Sequence, residues 1–255
     1  MSAGPVSAPG QSATRAGACG SDAPAPPGWY GKLAGLGDFA QRRLPADFVR
    51  LSDAWMAQVM SQCRAELGAR WLDLYLQAPV WRFAWAPGMG VEMGGSLSAD
   101  PGTGAAAPWW FGVLMPSCDK VGRYFPLLVA QARAQAPRGA VALAHLDAWL
   151  AHLGDAATRT LTEGATVETF EQALRAAPPW PVTDRDAAMS MTTVPAGPAA
   201  SAPLSPLETL GADLHATQRR AGSLWWCPGA ATHAARVRAL PGLPSARDFA
   251  GLLGG

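Results

Sequence analysis

An uninterrupted apolar run, Trp109-Trp110-Phe111-Gly112-Val113-Leu114-Met115, is followed by the polar stretch Pro116-Ser117-Cys118-Asp119-Lys120. Val121-Gly122-Arg123-Tyr124-Phe125-Pro126 then leads into a second apolar run, Leu127 to Ala130. Runs of this length and composition, separated by turn residues, predict two buried strands joined by a polar turn. The turn carries Asp119, Lys120 and Arg123 between elements that must pack inside. Desolvating a charge costs several kcal/mol unless it is paired. The turn is therefore either an internally paired corner or a site.

The rest of the chain supplies what such strands need on either side. Phe48, Leu51, Trp55, Val59 and Cys63 fall at helical spacing, with Leu67 continuing the stripe and Pro45 suited to the first turn. Trp71 to Leu76 predicts one or two further helical turns. Trp81, Phe83 and Trp85 alternate along a strand and share one face. A long helix is expected over Ala140 to Leu161, lined by Leu143, Leu146, Leu150 and Leu153. A shorter one covers about Val167 to Ala176, with Thr166 as its cap.

Ser205-Pro206-Leu207-Glu208 and Ser245-Ala246-Arg247-Asp248 have the form of capping boxes that open helices. Gly28 to Leu33, Ser223 to Cys227 and Ala235 to Leu240 read as strands, with a possible short strand near Val91 to Leu97. Helices and apolar strands intermix, so the expected class is α/β: one domain with a central mixed sheet and helices packed on its faces. Residues 1–27 are rich in Ala, Gly, Pro and Ser and are expected to form a disordered tail. The domain is expected over residues 28–255, with a flexible Pro/Ala-rich loop near residues 178–203.

Composition excludes several classes. Lys and Arg total 20 against 19 Asp and Glu, a net charge of +1, which lacks the basic excess of a nucleic-acid binder. Cys19, Cys63, Cys118 and Cys227 are scattered with no CxxC spacing, so neither a zinc site nor a disulfide framework is expected. No membrane span or signal peptide is legible, and the expected location is cytoplasmic.

The motifs for chemistry are incomplete. Gly31-Lys32-Leu33-Ala34-Gly35-Leu36-Gly37-Asp38 suggests a phosphate loop, but Leu33 stands where the Walker pattern needs Ser or Thr. Ala40 stands at the third glycine of a dinucleotide fingerprint. No GxSxG elbow or HExxH pair occurs. Glu163, Glu168 and Glu171 read as a solvated helix face.

What remains is charge at two turns. Asp38, Arg42 and Arg43 follow the first, and Asp119, Lys120 and Arg123 lie in the second. If the turns meet, Asp38 can pair with Arg123, or Asp119 with Arg42 or Arg43, giving either a buried network or a recognition patch. Trp29, Arg42, Arg43 and Arg123 are the expected aromatic and arginine anchors for a partner. The eleven tryptophans include the pairs Trp109-Trp110 and Trp225-Trp226. One ring of each pair must face away from the other. It is either covered by a helix or exposed as an interface anchor.

Gly28-Trp29-Tyr30-Gly31-Lys32-Leu33, Gly37-Asp38-Phe39 and Arg42-Arg43-Leu44-Pro45 resemble the start of the TagF (ImpM) family. Ala78 to Phe83, Gly112 to Pro126, Ser223 to Trp226 and Gly242-Leu243-Pro244 extend the resemblance over nearly everything from Gly28 onward. The resemblance implies a three-layer α/β/α sandwich and a cytoplasmic accessory protein of bacterial type VI secretion. It implies a non-enzymatic repressor, with no cofactor, that acts after translation by binding the forkhead-associated scaffold protein. Residues 1–27 lie outside the family core. The competing expectation is a small-molecule or phosphate-binding, enzyme-like domain that uses Lys32, Asp38, Asp119 and Arg123.

Overall fold

The structure, a computed structural model, describes residues 25–89, 107–180, 206–229 and 234–254. The expected short strand near Val91 to Leu97 lies outside these residues. So do nearly all of the expected N-terminal tail and Pro/Ala-rich loop, and Ser205, the capping residue of the expected Ser205–Glu208 box.

Among the described residues seven strands form one sheet, in the order β2-β1-β5-β4-β3-β6-β7. They are β1 (Gly28–Gly31), β2 (Ala40–Arg42), β3 (Trp81–Trp85), β4 (Trp109–Met115), β5 (Leu127–Arg133), β6 (Ser223–Cys227) and β7 (Arg236–Leu240). Every pairing is antiparallel, not mixed. Three of these pairings follow from the connections: hairpins join β1 to β2, β4 to β5 and β6 to β7, and a hairpin reverses the chain.

β4 is apolar throughout because both of its faces are covered. Trp109, Phe111, Val113 and Met115 enter one core, and Trp110 and Leu114 enter the other. The same alternation sends Trp225 to one core and Trp226 to the opposite one. All eleven tryptophans are buried, so none is an exposed anchor. Gly112 is obligatory in β4: a Cβ there would stand 2.0 Å from the Val129 carbonyl oxygen of the neighbouring strand.

The helices form the two outer layers, giving the expected three-layer sandwich. One face carries α1 (Ala46–Leu67), α2 (Trp71–Gln77) and α6 (Ala246–Gly254); the other carries α3 (Gly139–Arg159), α4 (Val167–Arg175) and α5 (Pro206–Arg219). The α1 stripe of Phe48, Leu51, Trp55, Val59 and Cys63 is buried as its spacing requires. Pro45 occupies the cap position just outside α1. Gly68 ends the helix at φ 54° and donates its N–H to Arg64. Thr166 and Thr169 form a capping box at α4. At α6 the Ser245 N–H donates to Asp248 Oδ2 at 3.0 Å, and the Asp248 N–H to Ser245 Oγ at 3.3 Å.

Candidate functional site

The sheet register brings the two polar turns together. Gly31 of β1 pairs with Leu127 of β5, and Met115 of β4 pairs with the same Leu127. The β1–β2 turn and the β4–β5 turn therefore leave the sheet at the same end. Two hydrogen bonds lock them there: the Lys120 N–H donates to the Leu36 carbonyl at 2.8 Å, and the Ser117 hydroxyl donates to the Lys32 carbonyl at 2.8 Å. Tyr75 of α2 adds a third element. Its hydroxyl donates to the Ser117 carbonyl and accepts from the Ser117 N–H, both at 2.9 Å. Gly31 sits at φ 137°, and a Cβ there would stand 2.1 Å from the Pro126 carbonyl, so the close approach of the turns needs glycine.

Asp119 is the centre of this corner and is buried. Its Oδ2 accepts from the Lys32 Nζ at 2.7 Å and from the Arg123 Nε at 2.7 Å. Its Oδ1 accepts from the backbone N–H groups of Val121 at 3.1 Å and Arg123 at 2.9 Å. Burial alone would raise the Asp119 pKa. The donors Lys32, Arg123 and Val121 outweigh burial and hold the carboxyl well below the usual carboxylate range. The Arg123 guanidinium also donates to the Gly37 carbonyl, tying the second turn to the first. Lys32 is 4% exposed, and its ammonium stands 4.2 Å from the centre of the Phe39 ring.

The expected charges are only partly assembled here. Lys32, Asp119 and Arg123 meet. Asp38 does not join their ion pairs; its carboxylate accepts from the Phe39 N–H at 2.8 Å. Arg42 is exposed on edge strand β2, and Arg43 pairs elsewhere, so neither takes Asp119. Beside the network the surface presents Phe39, 44% exposed, and Val121, 70% exposed, with Lys120 and the outer part of Arg123.

Trp29 and Arg43 belong to a second network on the α3/α4 face. Glu171, expected to be solvated, is 1% exposed. It accepts the Trp29 indole N–H at 2.6 Å and a two-pronged Arg43 guanidinium at 2.7 and 2.9 Å. Arg175 approaches the same carboxylate at 3.4 Å. Burial pushes the Glu171 pKa up, but the hydrogen bonds from Arg43 and Trp29 bring it below the usual value. Arg43 adopts φ 59°, rare for a side chain of this size, and the bonds to Glu171 and to the Pro27 carbonyl hold it there. Trp29 is 1% exposed and is a core residue, not a surface anchor.

Sequence reasoning missed Glu171, although the signal was present. It lies four residues after Val167 and three before Leu174, on the buried stripe of α4 and not opposite it. Among the described residues no group of three or more His, Cys, Asp or Glu could hold a metal ion. Among the same residues no helix is long and apolar enough to cross a membrane.

An antiparallel sheet between two helical layers, closed at one end by an internally paired corner, defines a scaffold of a known class. Residues 28–177 match the TagF N-terminal domain, type VI secretion system-associated. The crystal structure of PA0076 from Pseudomonas aeruginosa PAO1 is similar at 36% sequence identity, over 89% of this chain and 93% of that one, with a TM-score of 0.61. No curated protein matches the chain. The chain belongs to the TagF family and is a type VI secretion system-associated protein.

Proposed function

We propose that this protein is a non-enzymatic accessory factor that represses type VI secretion after translation by binding the forkhead-associated scaffold protein in the cytoplasm. Family membership supports the reading, and one observation carries it. The two buried charged groups at the corner, Lys32 and Asp119, are paired with partners within the chain. Both oxygens of Asp119 are taken by Lys32, Arg123 and two backbone N–H groups, and the Lys32 ammonium is buried in that pair. A general acid, base or phosphate anchor needs capacity left for its substrate. What the corner offers outward is Phe39, Val121, Lys120 and the exposed part of Arg123. That is a rigidly held surface with apolar contacts and cations, as a protein interface requires.

The test is a titration of the purified protein with the purified scaffold by calorimetry. Saturable binding that weakens about tenfold in Val121→Asp, with an unchanged melting curve, supports the reading. Absence of binding by the wild-type protein overturns it.

A further inference from the structure

The sheet has two edges, and they differ. β2, at one edge, is three residues long and is followed after Arg43 and Leu44 by Pro45, the cap of α1. β7, at the other, has five residues and among the described residues pairs only with β6. An edge strand exposes a row of unpaired N–H and C=O groups, which is a template for another strand. Along β7 the residues Val237, Arg238 and Ala239 are exposed, with Val237 at 52%.

The two charged side chains of β7 itself are both arginines, while Asp248 lines the cavity beyond the strand end. Arg236 and Arg238 stand on the same face of β7, opposite Cys227 and Trp225 of β6. Arg220 lies beside the far end of the strand, where it lines a cavity of about 760 Å³ together with Leu240 and Pro241. Arg220, Arg236 and Arg238 form no ion pair among the described residues. In a chain with a net charge of +1 this is a local positive excess.

Charged residues on an edge often serve only to repel other strands, and such a guard keeps its charge in water. Arg236 is different. Its guanidinium lies over the Trp81 ring, 5.7 Å from the centre, and among the described residues its buried Nη1 has no acceptor. A buried donor without a partner is costly and points to a missing acceptor. A second copy of the chain cannot supply one. Two β7 strands related by a two-fold axis would set the Arg236 and Arg238 side chains of both copies against each other on one face, and like charges across a strand pair destabilise it.

We propose that β7 is a docking edge for an extended acidic segment of a partner protein, which adds to the sheet as an eighth strand. Carboxylates at alternate positions of that segment would meet Arg236 and Arg238, and its main chain would satisfy the open edge. The cavity beside Leu240 gives the segment room to leave the edge near Arg220. This docking edge is independent of the scaffold reading and of the corner formed by Lys32 and Asp119.

The probe is a fluorescein-labelled peptide, Thr-Glu-Val-Glu-Val-Glu-Thr, titrated with the full chain and followed by anisotropy. Saturable binding is expected, about tenfold weaker in Arg236→Glu and in Arg238→Glu, and absent for the peptide with Lys in place of Glu. A version of the peptide N-methylated at alternate residues is expected not to bind, because methylation removes the main-chain donors. Circular dichroism of both variants checks that each is folded, and Arg238→Gln, at an exposed position, serves as the milder substitution. No binding of the acidic peptide, or equal binding of the N-methylated one, overturns the proposal.

Discussion

The Lys32 ammonium stands 2.7 Å from the buried Asp119 carboxylate and joins the end of β1 to the turn between β4 and β5. The pair closes one end of the sheet, and its energetics differ by partner. Lys32→Met removes one cation but leaves Asp119 bonded to Arg123 and to two backbone N–H groups. Asp119→Ala leaves the buried Lys32 and the N–H groups of Val121 and Arg123 without an acceptor. Both variants should melt below the wild type, and Asp119→Ala should fall further. Thermal denaturation followed by circular dichroism orders them. A higher loss in Lys32→Met would mean that the cation, not the carboxylate, organises the corner.

The lowered pKa values of Asp119 and Glu171 make a pH prediction with a definite sign. Each carboxyl is more acidic folded than unfolded. Below the unfolded pKa, roughly 4, the unfolded chain binds protons that the folded chain refuses, so stability falls as pH falls. The contribution is complete above that pH and is lost as the pH drops through the folded pKa values. Melting temperatures measured from pH 6 downward should be level at first and then decline below about pH 4. The decline should be shallower in Asp119→Asn, which has no carboxyl to protonate at that position.

Glu171→Gln keeps the volume but removes the charge that holds Arg43 and Trp29. The expected cost is on the order of 3 kcal/mol, the low end for a broken buried pair, because the Arg43 side chain is 26% exposed and recovers some hydration. Trp29→Phe, which loses only the indole donor and some ring area, should cost less. Chemical denaturation of both variants gives the comparison.

Much of this architecture was legible because burial leaves a periodic trace. The alternation of Trp81, Phe83 and Trp85, the stripe of α1 and the caps of α4 and α6 all depend on neighbours in sequence, and each was found where the spacing put it. The pairing of charges depends on which strands are neighbours, and that is a long-range property. Asp119 met Lys32 because β1 lies beside β5, an order that no local pattern encodes. Arg43, just after β2, met Glu171 of α4 across 128 residues, a strand-to-helix contact that is equally long-range. Trp29 illustrates a different limit. A tryptophan at a turn boundary has the composition of an interface anchor, and only its neighbours Glu171 and Phe170 identify it as core.

The incomplete phosphate loop has a direct consequence. Lys32 is the only lysine of the Gly31–Asp38 segment, and its amine is committed to Asp119. Calorimetry with magnesium ATP or GTP should give no heat of binding at physiological nucleotide concentration. Micromolar affinity that disappears in Lys32→Ala would instead favour an enzyme-like role for the corner.

The corner surface and the core beneath it should separate in a partner-binding series. Val121 is 70% exposed at the tip of the β4–β5 turn, so Val121→Asp removes an apolar contact without disturbing packing. Phe39 is 44% exposed, yet its ring stacks on Tyr30 and meets Phe125 edge-on at 4.8 Å, so Phe39→Ala affects both surface and fold. Trp29 is buried, and Trp29→Ala opens a cavity of the kind that costs about 3–5 kcal/mol. Titrated against the forkhead-associated scaffold, Val121→Asp should bind about tenfold more weakly with an unchanged melting temperature. Phe39→Ala should lose affinity and some stability together. Trp29→Ala should lose binding only in proportion to the fraction unfolded, and recover it at lower temperature where the protein is folded. If Val121→Asp binds as the wild type does while Trp29→Ala, shown to be folded, does not, the partner is engaged on the α3/α4 face and the corner is structural alone.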